Sequence, residues 1–294
     1  MSVSADGRID TLWRRAGERV GRADARFLLE RVSGLTHAAL LASPERELPL
    51  DLLRRFESLV ERRAAGEPLA YLLGSAWFCG LEFAVNPSVL IPRPETEILV
   101  RRAAGIARAI KRPRILDMGA GTGIIAITMA KYFPGAEVTA ADISLEALGV
   151  ACSNAARHGV NIRFVESDWF SGLAGEHFNL LLSNPPYVAN DDPHLQENGL
   201  PYEPRHALTD GIKGGDGLAC IRKLIRDGAG HLSDDGYLLL EHGYDQAARV
   251  HSLLMDSGYS GIRGWRDAAG IERVSEARLA PEISNGYTLP DNPV

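Results

Sequence analysis

The sequence predicts an α/β fold, a doubly wound sheet with helices on both faces, preceded by a small N-terminal helical bundle and joined to it by a β-hairpin linker. Three observations predict it. Apolar strand-like runs alternate with helical stretches in the second two-thirds of the chain. A glycine-rich turn, "GAGTG", follows the first of those strands and opens a helix. Residues 8–65 carry apolar positions at helical spacing only and no β-branched clusters. The boundaries read as 1–68 for the helical domain, 69–91 for the linker, 92–280 for the α/β domain and 281–294 for a flexible, proline-containing tail.

Each element follows from its residues. In the first segment Leu28, Leu29, Val32 and Leu35, then Leu52, Leu53, Phe56, Leu59 and Val60, form helical stripes, punctuated by Gly21, Gly34 and Ser43-Pro44. Residues 69–91 change to aromatics and short alternations broken by Gly74, Gly80 and Asn86-Pro87, the signature of a hairpin. "IPRPETEILVRRAAGIARAI" reads as a helix with Pro94 in its first turn. Strands follow at "RILDMG", "EVTAADI", "IRFVES", "FNLLLSN" and "GYLLLEHG", with helices after the first, second and fourth and a shorter third connection. This alternation implies a parallel sheet. Ligands of such sheets bind beyond the carboxyl ends of the strands, where strand order reverses.

Composition excludes several classes. The 294 residues are 45% apolar and 24% charged, ordinary for a globular protein. The formal charge of −6 does not suit a protein that lives on phosphate backbones, and residues 1–70 balance 12 arginines against 11 acids. No apolar run approaches the ~20 residues of a membrane span, and the first residues lack the apolar core of a secretory signal. A cytoplasmic enzyme is the expectation. Cys79, Cys152 and Cys220 are odd in number and far apart, which points to reduced packing residues and no metal. His194 beside Asp191 and Asp192 lacks the spacing of a ligand set, Glu241-His242 reads as structural, and Asp216 reads as a helix cap.

The chemistry begins at the glycine turn. Gly119, Gly121 and Gly123 permit positive φ and close backbone approach, with Ala120 and Thr122 between them, and the following helix offers N–H groups to an anion. Ile124 stands where a dinucleotide fingerprint wants its third glycine. Asp117 would repel a diphosphate and suits a sulfonium cation. Asp142, ending the next strand, can accept from ribose hydroxyls, or cap the helix at "SLEAL". Asp168 can accept from an amino group, and Trp169 can wall a purine ring or serve as core. Together these residues describe a pocket for an adenosine carrying a cation, which S-adenosylmethionine fits.

The fourth strand ends in Asn184, Pro185, Pro186 and Tyr187, a corner rich in acceptors and poor in donors because proline has no N–H. A methyl sulfonium needs no acid activation, so the difficulty lies with the acceptor. An amide or aromatic amine nitrogen has a delocalised lone pair. The Asn184 oxygen and the Pro185 carbonyl, placed on its two N–H bonds, would hold it and favour pyramidal geometry, with the Tyr187 ring against its flat face. Catalysis would then rest on positioning rather than on a strong base.

With these residues in hand, the sequence resembles the bacterial release-factor glutamine methyltransferases, the HemK/PrmC family, over nearly its whole length. "IPRPETE", "LDMGAGTG", "SDWF", "SNPPYV", "DDPHL", "EP", "AL", "GGDGL" and "LLLEHG" match in order and spacing. The resemblance implies a class I (Rossmann-like) methyltransferase domain and methylation of the glutamine side-chain amide in the Gly-Gly-Gln tip of peptide chain release factors. It implies that Gly119 to Gly123, Asp142, Trp169 and Asn184 bind S-adenosylmethionine and that Asn184 to Tyr187 hold the glutamine, with Arg93 and Glu97 shaping the mouth. No nucleic-acid or membrane partner is implied, and a monomer is expected. After "RDAAGIERV" the family leads one to expect a short terminal strand, whereas "SEARLAPEISNGYTLPDNPV" runs on with prolines and polar residues, leaving the last strand pairing open. Two rival readings stand beside this one. A nucleic-acid adenine methyltransferase faces the same nitrogen chemistry but should carry a basic, base-reading module. A non-catalytic adaptor would keep the glycine turn without needing Asn184.

Overall fold

The computed structural model describes residues 7–197 and 199–279. Five helices come first: α1 (Ile9–Val20), α2 (Arg22–Ser33), α3 (His37–Ala42), α4 (Leu50–Ala64) and α5 (Leu69–Leu73). Their apolar stripes converge on one core that includes Ile9, Leu28, Leu29, Phe56 and Leu72. Gly34, at φ 70°, ends α2 with its N–H on the Glu30 carbonyl, a left-handed cap that a side chain would strain. The linker expected at 69–91 therefore begins as a helix: its "LAYLL" run forms α5, because Pro68 precedes it and Gly74 closes it at φ 75°. The hairpin proper is β1 (Ser75–Phe78) paired with β2 (Leu81–Ala84).

The α/β part runs α6 (Thr96–Ala107), β3 (Arg114–Met118), α7 (Ile124–Tyr132), β4 (Glu137–Asp142), α8 (Leu145–His158), β5 (Arg163–Glu166) and β6 (Phe178–Ser183). It continues with α9 (Ala219–Gly228), β7 (Leu232–Glu241), α10 (Ala247–Asp256), β8 (Tyr259–Arg266) and β9 (Glu272–Leu279). Pro94 lies just ahead of α6 rather than in its first turn. The seven strands are ordered β5-β4-β3-β6-β7-β9-β8. β5 to β7 run parallel, as expected, but β9 is antiparallel to β7 and to β8, so the sheet is mixed. The polar stretch that left the last pairing open is part of this: "SEARL" sits inside β9, where Val274 and Ala277 face opposite cores. The 281–294 tail lies outside the described residues.

The period of two along each strand divides the core. Ile115, Leu180, Leu182 and Leu239 face α6, α7 and α8, while Leu116, Leu181, Leu238 and Leu240 face α9 and α10. The hairpin packs on the first face through Phe78 and Phe83. Asn154 on α8 accepts from Ala84 N at 2.8 Å and donates to the carbonyls of Ala84 and Thr122 at 3.0 and 3.1 Å. One buried carboxamide thus ties the hairpin to the glycine turn. Because the chain leaves β3 toward β4 and β5 and then returns with β6 on β3's other side, strand order reverses between β3 and β6. That reversal opens a crevice at the carboxyl ends of those two strands.

Candidate active site

The crevice is a cavity of about 290 Å³, in the range of small-molecule sites. Gly119, Ala120, Gly121 and Thr122 after β3, Asp142 as the last residue of β4, Asp168 and Trp169 after β5, and Asn184 and Pro186 after β6 all line it. Arg93 lines it from the segment before α6, and Asp210 and Cys220 from the long connection to α9. Residues as far apart in sequence as Arg93 and Cys220 meet here, around the edge at which the parallel strands end.

The glycine turn is held from within. Gly119 N and Ala120 N donate to the Ala141 carbonyl at 2.8 and 3.0 Å, Gly123 N donates to Ala120 O at 2.7 Å, and Gly121 N donates to Asp142 Oδ2 at 2.8 Å. Gly123, at φ 82°, turns its backbone against α8, where a Cβ would meet Ala151 and Ile127 at 3.0 Å, so it packs the turn rather than lining the cavity. The α7 terminus is also engaged: Ala126 N donates to Asp117 Oδ2 at 3.0 Å. The expected free N–H cradle is thus largely taken, and a pyrophosphate would find few donors there. The charges on the wall point the same way, since Asp142, Asp168 and Asp210 face a single guanidinium, Arg93. These features fit an adenosine cofactor that carries a positive charge and no phosphate.

Asp142 supports the helix cap without being it. Its Oδ1 accepts from Ser144 N at 2.9 Å, but the cap of α8 is Ser144, whose hydroxyl accepts from Ala147 N. Each of its oxygens takes one donor and keeps capacity for another, and the residue lines the cavity. Trp169 is half-buried and sits at φ 53°, in the left-handed region where a bulky residue is uncommon. Ser167 pins that turn, donating to Trp169 O at 2.5 Å and accepting from Gly172 N at 2.9 Å. Ser167 was not singled out in the sequence; its place two residues before an aromatic wall was the available signal.

Asp117 stands elsewhere than expected. It is wholly buried behind the turn, away from the cavity wall, and its Oδ1 has no partner among the described residues. Burial pushes its carboxyl up to about 7, with the Ala126 N–H opposing and the Asp142 charge adding to the rise. A folded value above the ordinary 3.8 means the folded state keeps a proton that the unfolded chain has lost. Stability therefore falls as pH rises from about 4 to about 7 and changes no further above that. Asp117→Asn, which keeps an acceptor for Ala126 and cannot ionise, gains at least ~1 kcal/mol on the parent between pH 5 and pH 8. Urea midpoints at the two pH values measure this, and parallel pH profiles for the two proteins would exclude it.

At the corner after β6, Asn184 Nδ2 donates to Thr96 Oγ1 at 3.1 Å. Neither its oxygen nor the Pro185 carbonyl receives a donor from the described residues. Pro185 is buried and does not line the cavity; Pro186 does. Tyr187 departs from expectation: its ring packs on the α9 and α10 core and its hydroxyl donates to Glu241 Oε1 at 3.2 Å. Its backbone is clamped, the carbonyl accepting from Gln246 Nε2 at 2.9 Å and lying against Gly217. Glu97 is likewise not on the wall, since it accepts from Cys79 N at 2.8 Å and holds the hairpin turn. Arg93 pairs with Glu203, which also accepts from Ile91 N at 3.0 Å, fastening the long connection across the cavity mouth. Thr96, Glu203, Gly217 and Gln246 were thus missed, although "IPRPETE", "EP" and "GGDGL" carried three of them.

The residues set aside earlier also find places. Asp216 is not the cap of α9: it accepts from Leu218 N and pairs with Arg222 and Arg249, which hold its carboxyl down to about 2. Cys152 is exposed on α8 and Cys220 is on the cavity wall, so packing alone describes only Cys79. Glu241 is buried, and desolvation pushes it up to about 7 against the hydroxyls of Thr96 and Tyr187. No group of three or more metal-ligating side chains occurs among the described residues, and no helix there is long and apolar enough to cross a membrane.

Comparison with known proteins bears on this geometry. Residues 96–198 match the family model described as Methyltransferase small domain, and residues 13–74 match PrmC N-terminal domain. The release factor glutamine methyltransferase of Burkholderia pseudomallei is 45% identical over 263 residues, covering 87% of this chain and 91% of that protein. The protein of the same name in Escherichia coli is 40% identical over 259 residues, with 87% and 92% covered. Among solved structures, a 16S rRNA N2 G1207 methyltransferase from T. thermophilus, in complex with AdoMet and guanosine, superposes with a TM-score of 0.51 at 19% identity, covering 69% of this chain and 49% of that one. At that identity the likeness is one of fold.

Proposed function

Because this chain belongs to the release factor glutamine methyltransferase family, it is an S-adenosylmethionine-dependent methyltransferase acting on a release-factor glutamine, and we propose that its Asn184 corner holds the side-chain amide of a Gly-Gly-Gln tip for that reaction. One observation carries the reading: an asparagine oxygen and a proline carbonyl, neither of which receives a donor from the described residues, stand at the end of β6 beside the glycine turn of β3, with Asn184 on the cavity wall and Pro185 buried next to it.

Bound in the cavity, S-adenosylmethionine supplies an electrophilic methyl on a sulfur that leaves as a neutral thioether. The chain does the rest by placement. Asp142 takes the ribose hydroxyls while it holds the Gly121 N–H, so one carboxylate shapes the turn and orients the cofactor. Trp169 and Ile143 wall the base. Asn184 Oδ1 and the Pro185 carbonyl accept the two N–H bonds of the glutamine amide, whose conjugated lone pair is otherwise a poor nucleophile. Positive charge would grow on that nitrogen as it takes the methyl group, and the two fixed acceptors, Asn184 Oδ1 and the Pro185 carbonyl, would favour it. The surplus proton then leaves the far more acidic product nitrogen, so no strong base is required.

The −6 charge and the near balance of arginines and acids in the first 70 residues support a protein substrate rather than a nucleic acid, reached without direct nucleic-acid contact. Incubation with methyl-labelled S-adenosylmethionine, a release factor and duplex DNA tests this. The expected result is one labelled methyl on the glutamine of the release-factor tip, located by peptide mass, and none on DNA. Label on adenine with an unmodified release factor would overturn the reading.

A further inference from the structure

A carboxamide is nearly symmetric in shape and opposite in polarity at its two ends. Rotated by half a turn, Asn184 would present NH₂ to an incoming amide N–H, donor against donor. Something must choose the end that faces the cavity. We infer that Thr96 and Glu241 are positioning residues that choose it, forming a relay from the end of β7 through the first residue of α6 to the corner after β6.

The relay follows from counting protons. Thr96 has one hydroxyl proton, and it goes to Glu241 Oε2 at 2.7 Å. What the hydroxyl then shows Asn184 is a lone pair, so the carboxamide must meet it with Nδ2, at 3.1 Å. Its oxygen is left for the cavity. When ionised, as it is above a pH of about 7, Glu241 terminates the chain because a carboxylate only accepts, and its second oxygen takes the Tyr187 hydroxyl at 3.2 Å. Water cannot stand in for either group, since Thr96 is 0% and Glu241 1% exposed. Tyr187 thereby serves twice, its hydroxyl on the carboxylate and its backbone in the corner being positioned. The charged groups around Glu241 are Glu95, which works against its ionisation, and Arg273, which favours it.

This inference rests on the role given to Asn184, and a double-mutant cycle separates the two. Thr96→Val keeps the shape of the side chain and removes the hydroxyl. Expected is a loss of about 10-fold in kcat, the scale of one buried hydrogen bond, with the S-adenosylmethionine Kd changed by less than ~3-fold. Thr96→Ser restores kcat. In an Asn184→Ala background the same Thr96→Val change costs less than ~2-fold, because there is no carboxamide left to orient. Glu241→Gln, which offers Thr96 an oxygen in only one of its two orientations, repeats the pattern with a smaller loss and carries the comparison should Thr96→Val not fold. Full kcat in Thr96→Val beside an impaired Asn184→Ala would overturn the relay alone, as would an undiminished Thr96→Val loss in the Asn184→Ala background. Full kcat in Asn184→Ala would overturn the relay and the role of the corner together.

Discussion

Asn184→Ala lowers kcat for release-factor methylation by at least ~10-fold, and by up to ~10²–10³-fold if its oxygen supplies as much as one donor of an oxyanion hole. The fold should survive the change. Asn184 is half-buried at a strand end, and its loss leaves the Thr96 hydroxyl still donating to Glu241, so no buried donor is orphaned. The effect should therefore sit in the chemical step: urea midpoints stay within ~0.5 kcal/mol of the parent, and the cofactor Kd moves far less than kcat. Single-turnover transfer from labelled S-adenosylmethionine, set beside cofactor binding measured calorimetrically, distinguishes the two contributions. A variant that binds poorly but turns over normally would assign Asn184 to cofactor binding and remove it from catalysis.

Gly217→Ala is expected to be nearly as damaging, for a backbone reason. Gly217 sits at φ 72°, and a Cβ there would lie 2.3 Å from Tyr187 O and 2.9 Å from Ala189 N. Both neighbours are main chain, and Tyr187 O is also held by Gln246, so nothing flexible can yield. Gly258, at φ 80° with nothing within 4 Å of its would-be Cβ, separates the two costs. Gly258→Ala incurs only the left-handed penalty of ~1–2 kcal/mol and leaves kcat unchanged. Gly217→Ala should lose a further ~1–3 kcal/mol to overpacking and lower kcat at least ~10-fold by shifting the corner proposed to hold the amide. Denaturant midpoints and initial rates for both variants decide the matter. Equal losses in the pair would show that the corner tolerates displacement, and that its placement is not what catalysis depends on.

These two positions differ in how legible they were. Asn184 could be read from the chain because its chemistry is local: an apolar strand followed by Asn-Pro-Pro-Tyr leaves few conformations and few donors. Gly217 could not, because the atoms that require a glycine there belong to Tyr187 and Ala189, thirty residues upstream. Thr96 lies inside "IPRPETE" and Glu241 reads as structural, but the contact between them was hidden in the same way. Each looks ordinary in its own segment, one as the first residue of a helix and the other as the end of a strand, and each gains its role only when β6 and β7 align beside α6. Tyr187 shows the converse, since a local reading sent its ring to the substrate and a distant carboxylate claimed its hydroxyl.

The sequence by itself determined the alternation of strands and helices, the sheet edge that carries the cavity, and the two corners that line it, because periodicity, glycine and proline act within a few residues. Only the tertiary structure decided that the C-terminal strands turn antiparallel, that Asp117 faces the helix α7 backbone instead of the cavity, and that the Asn184 amide nitrogen is taken by Thr96. Those outcomes depend on hydrogen-bond partners separated by up to 145 residues of chain, as between Thr96 and Glu241, and such partners are chosen by packing rather than by neighbours in sequence.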